Sequence, residues 1–153
     1  MSNLRKLRLH VAQEGETVVE FALVASMFLT LMFGCVEFAR LLWTEMALQQ
    51  TAMSGARCMA IAQGSIQNSF CSSAGSYSVS TTTSYIQTTA SGWGLTLAAS
   101  DIALDQAASC GGISNSSQVT LTTTFRTPVP QLVQLAAGGT SLSAAACYPN
   151  NAY

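Results

Sequence analysis

The feature that most constrains this chain is an unbroken apolar run, "FALVASMFLTLMFGCV", from Phe21 to Val36. With Val18 and Val19 before it and Phe38 to Trp43 beyond it, the run reaches the roughly 20 residues that carry a helix across bilayer hydrocarbon. Arg5, Lys6 and Arg8 crowd the positions ahead of it, which predicts a cytoplasmic N-terminus. Trp43 falls where an interfacial aromatic anchor stands on the far side. A secretory signal peptide is the competing reading. The run is too long for one, and no small-residue cleavage site closes it.

The helical pattern continues through "RLLWTEMALQQTAMSGARCMAIAQG". No proline occurs before Pro128, and helix formers dominate up to Gly64. The expected helix runs from Glu16 to Gln63, on the order of 70 Å at the usual rise per residue. Its first half suits lipid. Its outer half carries Leu42, Met46, Met53, Ala56 and Ala60 at helical spacings, an apolar stripe that needs something to pack on.

At Gly64 the chain changes character. From there on only Asp101, Asp105 and Arg126 are charged, and Ser and Thr become frequent. Three features argue against a disordered low-complexity tail. "SQVTLTTTFRT" alternates, with Val119, Leu121, Thr123 and Phe125 on one face and Thr120, Thr122, Thr124 and Arg126 on the other. "DIALDQ" alternates similarly through Ile102 and Leu104, and "TSLSAAACY" supplies a third strand. "SCGGISNSS" and "AAGGT" stand between them, where turns belong. The expected strands lie near 101–107, 118–127 and 139–147. "TSYIQTTASGWGL" predicts a short helix with Ile86 and Trp93 as core anchors, and "TPVPQLVQL" reads as a proline-marked link between the last two strands. The fold class is α+β: a long N-terminal transmembrane helix packed against a small antiparallel three-stranded sheet. The chain divides into a basic leader (1–15), the long helix (16–63) and an extracytoplasmic Ser/Thr-rich region (64–153).

Cys58, Cys71, Cys110 and Cys147 all lie beyond the apolar run, while Cys35 is inside it and reads as a small buried hydrophobe. Four cysteines on the oxidising side of a membrane imply two disulfides, with three possible connectivities. In a three-stranded meander the ends of the first and third strands flank the start of the second. That favours Cys110 with Cys147 and leaves Cys58 with Cys71. A metal site is the competing view. It finds no Cys-x-x-Cys spacing, and the single histidine, His10, lies on the other side of the run.

The expectation is that the protein is not an enzyme and carries no cofactor. His10 is in the leader, so the outer region has no histidine for a triad. Asp101 and Asp105, four apart in an expected strand, read as a solvated face. "CGG" and "AGG" are turn signals and not phosphate loops. With a net charge of −1 there is no electrostatic case for nucleic acid.

One stretch remains. In "GETVVEF", Glu20 stands at the edge of the apolar run, five residues after Gly15 and next to Phe21. A carboxylate there is expensive. A basic leader, a glycine and Glu-Phe at this spacing resemble the processing site of type IV prepilins, in the Gly-x-x-x-x-Glu-Phe/Tyr form of Flp and TadE-like proteins. The likeness extends over the first 60 or so residues. It takes in Glu37 and Arg40 just past the run and the Ala56–Arg57 element. The distal half is similar only in its plan of late strands.

The resemblance implies a minor pilin or pseudopilin of a tight-adherence (Flp-type) pilus. It implies cleavage between Gly15 and Glu16 by a prepilin peptidase, residence in a bacterial inner membrane, and other pilins and assembly proteins as partners. In that reading Glu20 of one subunit compensates the new amine on Glu16 of its neighbour once lipid is left behind. Alternatively, Glu20 is a helix-start acid favoured by the macrodipole, worth about 0.3–1 kcal/mol. Glu37 and Arg40, spaced i, i+3, suit an ion pair. They serve either as a snorkelling pair at the outer interface or as an intersubunit contact. Two other functions stay open. One is an uncleaved membrane-anchored subunit of a secretion or attachment complex. The other is a surface-binding module whose Ser/Thr-rich face contacts a carbohydrate or a surface; the outer region has Tyr77, Tyr85, Tyr148 and Tyr153 but no evident site.

Overall fold

The computed structural model describes residues 2–64 and 70–150, with side chains from Thr17 onward except those of residues 132 and 135–137. The chain forms two compact units, Met1–Ala39 and Arg40–Tyr153. Helix α1, Ser2–Gln63, supplies all the regular structure described in the first unit and enters the second. It starts earlier than the expected Glu16. Leu, Lys, Arg, Ala and Gln in the leader are good helix formers, and Gly15 within a helix costs only about 1 kcal/mol.

In the first unit Val18, Phe21, Leu23, Val24, Phe28, Leu31 and Phe33 are all exposed. They point in every direction round the helix, the pattern of a helix meant for an apolar solvent. Its hydroxyls are satisfied within the backbone. Ser26 Oγ donates to the Leu23 carbonyl and Thr30 Oγ1 to that of Ser26, both at 2.8 Å. Within Thr17–Gln63 there is one stretch long and apolar enough to cross a membrane.

The second unit builds a core on the rest of α1. A two-residue hairpin pairs β1 (Ser72–Ser73) with β2 (Ser76–Tyr77). Its turn residues Ala74 and Gly75 have φ of 53° and 78°, the double positive that this short connection demands. Helix α2, Val79–Gly92, follows, capped by Ser78, whose Oγ accepts from the Thr81 N–H. Thr82, Thr83, Ser84, Thr88 and Thr89 donate to carbonyls four residues earlier, which lets so hydroxyl-rich a segment stay helical. A 3₁₀ turn, Ala99–Asp101, leads into β3 (Ile102–Cys110) and β4 (Ile113–Thr124). Helix α3 (Pro130–Ala137) precedes β5 (Ser141–Pro149). Strands β3, β4 and β5 form an antiparallel meander with β4 central.

Two differences from the sequence reading have physical reasons. The polar start of β4, "ISNSS", lacks apolar alternation, yet it pairs on both sides. Ser116 lies opposite Ala108, and Ser117 opposite Tyr148. The proline-marked link is helix α3. Pro130 opens it, where a missing N–H is harmless, and Gly138 closes it with φ of 74°.

The core joins Leu48, Ala52, Ala56 and Met59 of α1 to Ile86 and Ala90 of α2 and to Val119, Leu121 and Ala144 of the sheet. The expected stripe is only half right. Ala56 and Ala60 are buried, but Leu42, Met46 and Met53 face outward. Both faces of this helix are apolar, and the one that packs is the one lined with small residues. A Cβ on Gly55 would stand 2.8 Å from Ile86 Cγ1, so glycine sets the approach of α1 to α2. At the far end of α1 a polar clasp closes the unit. Gln63 Nε2 donates to Ser117 Oγ at 2.9 Å, Ser117 Oγ donates to Asn150 Oδ1, and Asn150 Nδ2 donates to the Gln106 carbonyl at 2.8 Å.

Candidate processing and assembly segment

Gly15 and Glu16 lie on α1, and the Glu16 side chain is outside the described residues. Glu20 and Phe21 are exposed on the same helix, Phe21 at 73%. Five residues of helix separate Gly15 from Glu20, about 7.5 Å along the axis. A carboxylate therefore stands at the edge of an apolar cylinder, open to whatever surrounds it. In hydrocarbon or a bundle of apolar helices that position costs several kcal/mol unless a cation meets it.

Glu37 is half-buried and belongs to the first unit, whereas Arg40 opens the second. The Arg40 guanidinium sits over the Phe125 ring, 5.7 Å from its centroid. Sequence spacing pointed only along the helix and missed this partner, which the fold brings from the end of β4. Beside it, Leu41, Phe125 and Val133 of α3 are buried together, with Leu142 packed against them.

The structure pairs Cys58 with Cys71 and Cys110 with Cys147, at Cα separations of 5.8 and 6.4 Å. Both are ordinary spans for a disulfide. The first ties α1 to the start of β1. The second joins the ends of β3 and β5 across the start of β4. Cys35 differs from its expected burial. Its thiol is exposed, because nothing in the first unit packs on α1.

Three further readings change. Trp93 is 42% exposed and is no core anchor; it meets Trp43 edge-on at 5.9 Å between ring centroids. Asp101 precedes β3 and its carboxylate accepts from the Ala98 N–H at 3.0 Å, while that of Asp105 accepts from the Ala107 N–H at 3.0 Å. These are turn and bulge contacts: Asp101 is half-buried just before the strand, while Asp105 is exposed, as a solvated face requires. The tyrosines turn inward. Tyr77 donates to Met59 Sδ at 3.1 Å, and burial, partly offset by a hydrogen bond with Thr82, raises its phenol above the usual value. Tyr85 and Tyr148 pack against the core, and Tyr153 lies outside the described residues. The β1–β2 hairpin went unread in the sequence, although Ala74–Gly75 between short Ser-containing segments was its signal.

Among the described residues, one apolar-all-round helix leads into a disulfide-bonded α+β unit, an arrangement that suits a membrane anchor. Residues 15–57 match the family model of TadE-like proteins. The match begins at Gly15, takes in Glu20, Phe21, Glu37 and Arg40, and ends at Arg57. The sheet lies outside it. No curated protein and no solved structure matches the chain.

Proposed function

We propose that the protein is a pilin-like subunit, a minor pilin or pseudopilin, of a tight-adherence pilus. A prepilin peptidase cuts between Gly15 and Glu16 on the cytoplasmic side of the inner membrane. α1 holds the mature chain in the membrane with its outer unit on the far side. During assembly the apolar helices leave lipid and bundle with those of other pilins. The observation that carries this reading is Glu20, exposed at the edge of an apolar cylinder and five residues past a glycine, within the TadE-like segment. Cleavage removes the positive leader, which otherwise tethers the chain to the inner leaflet, and creates an amine on Glu16. An amine and a carboxylate that are each costly in an apolar bundle compensate one another when paired. The pair sets the register between subunits more than it adds stability.

One observation favours a second reading, an uncleaved anchor: α1 runs unbroken through Gly15. A peptidase needs that turn unwound. The intact mass of the protein from membranes of cells with an active prepilin peptidase separates the two. The pilin reading expects a mature chain starting at Glu16, with Gly15→Arg blocking the cut. A wild-type chain that keeps residues 1–15 is the uncleaved anchor.

A further inference from the structure

The end of the second unit where α1 enters has a composition unlike the rest of that unit. Both tryptophans of the chain are there, Trp43 and Trp93, edge-on to each other and 58% and 42% exposed. So are two of the unit's three arginines. Arg40 lies over Phe125, and Arg126, the next residue in the chain, is exposed. Val129, 37% exposed, leads into α3, whose Val133 is buried with Leu41 and Phe125. Toward the opposite end, with the β3–β4 turn and the Asn150 clasp, the described residues include no tryptophan, and the third arginine, Arg57, stands alone on α1 six residues before Gln63.

The level of this collar along α1 follows from arithmetic. From Phe21 to Arg40 the helix rises roughly 30 Å, the thickness of bilayer hydrocarbon. Arg40 therefore falls at the outer boundary of the hydrocarbon and Trp43 about 4–5 Å further out, inside the headgroup layer. Amphipathic tryptophans and arginines with apolar stems are the side chains that suit that layer.

We propose that this collar seats the outer unit on the membrane, with Arg126 taking the phosphates of anionic phospholipids, Arg40 held over Phe125 beside it, and Trp43, Trp93 and Val129 entering at the glycerol level. The seat rests on the reading that α1 crosses a bilayer. It goes beyond that reading by giving the unit a second attachment, drawn from residues remote in sequence from the anchor.

The test uses the full chain with Cys35→Ala, spin-labelled at Val129→Cys or, as a control at the opposite end, at Ser114→Cys. It is reconstituted in phosphatidylethanolamine vesicles containing phosphatidylglycerol. The seat predicts an oxygen-to-nickel-complex accessibility ratio several-fold higher at position 129 than at 114. It also predicts that this excess falls in phosphatidylcholine vesicles and in Arg126→Glu. A water-like ratio at 129 in protein that resists alkaline extraction overturns the seat and leaves the anchor standing. Shielding from both relaxants means a protein neighbour covers the collar, which also overturns it. An excess indifferent to lipid charge and to Arg126→Glu overturns the phosphate recognition. Extraction by alkali removes the anchor reading and the seat together.

Discussion

From Val18 to Phe38 every large apolar side chain of α1 is exposed, yet from the next turn onward the same helix buries Leu41, Leu48 and Met59. Among its described residues the first unit has no core, and its side-chain hydrogen bonds from Ser26 and Thr30 stay within about one turn of backbone. The second has a core, a polar clasp and two disulfides. The difference teaches where each unit draws its stability. The first is stable only in surroundings that cover it, first lipid and then, in the proposed function, other helices. The second supplies its own. A chain divided this way can exchange one apolar environment for another without unfolding the part that faces water.

The sharpest way to break that comparison is to truncate one large side chain in each unit. Leu48→Ala should cost the outer unit about 2–5 kcal/mol, the range for an aliphatic truncation in a packed core. Phe28→Ala should leave its denaturation midpoint in detergent unchanged. A comparable loss from Phe28→Ala would mean that the two units share a core.

Replacing Cys110 and Cys147 together by serine should come next, lowering outer-unit stability by roughly 2–4 kcal/mol through the freedom restored to the unfolded chain. The same denaturant titration, read beside the amount of protein in membranes, checks it. Membrane levels should hold, because the anchor does not use that disulfide.

Glycines give the smallest contrast. Gly55→Ala adds a methyl against buried Ile86 and should destabilise the outer unit by about 1–2 kcal/mol, the overpacking cost outweighing better helix propensity. Gly34→Ala has nothing within 4 Å of the new methyl and should cause no loss. A stabilising Gly55→Ala would show that Ile86 can move aside.

Much of this plan was legible in residue patterns, and the misses have physical causes. The anchor and the central strand were readable because one is continuously apolar and the other alternates. The face of α1 that packs was not, since Leu42, Met46 and Met53 are as apolar as the residues that are buried. The choice fell to Ala52, Gly55 and Ala56, whose value is their small size. Helix α3 was hidden because Pro128 and Pro130 read as breakers, although a proline in the first turn starts a helix. Trp93 looked like a core residue by size alone. Phe125 under Arg40 is a tertiary contact that no local spacing signals. At the candidate site Gly15, Glu20 and Phe21 stood out in the sequence by their spacing and their likeness to the prepilin form, and the structure adds that Glu20 and Phe21 are exposed on one helix.

The central claim is that Glu20 is a pairing group for assembly, and one measurement addresses it directly. Glu20→Ala leaves a more apolar helix start, so insertion, processing and the outer fold should persist. Co-purification with the partner pilins, set against the amount of protein in the inner membrane, should fall steeply. An amine left unpaired in the bundle costs up to about 3–5 kcal/mol when fully desolvated. Glu20→Asp should be intermediate, its charge kept but its reach one methylene shorter. If Glu20→Ala assembles as well as the parent, the carboxylate is only a helix-start acid and the pairing account is wrong.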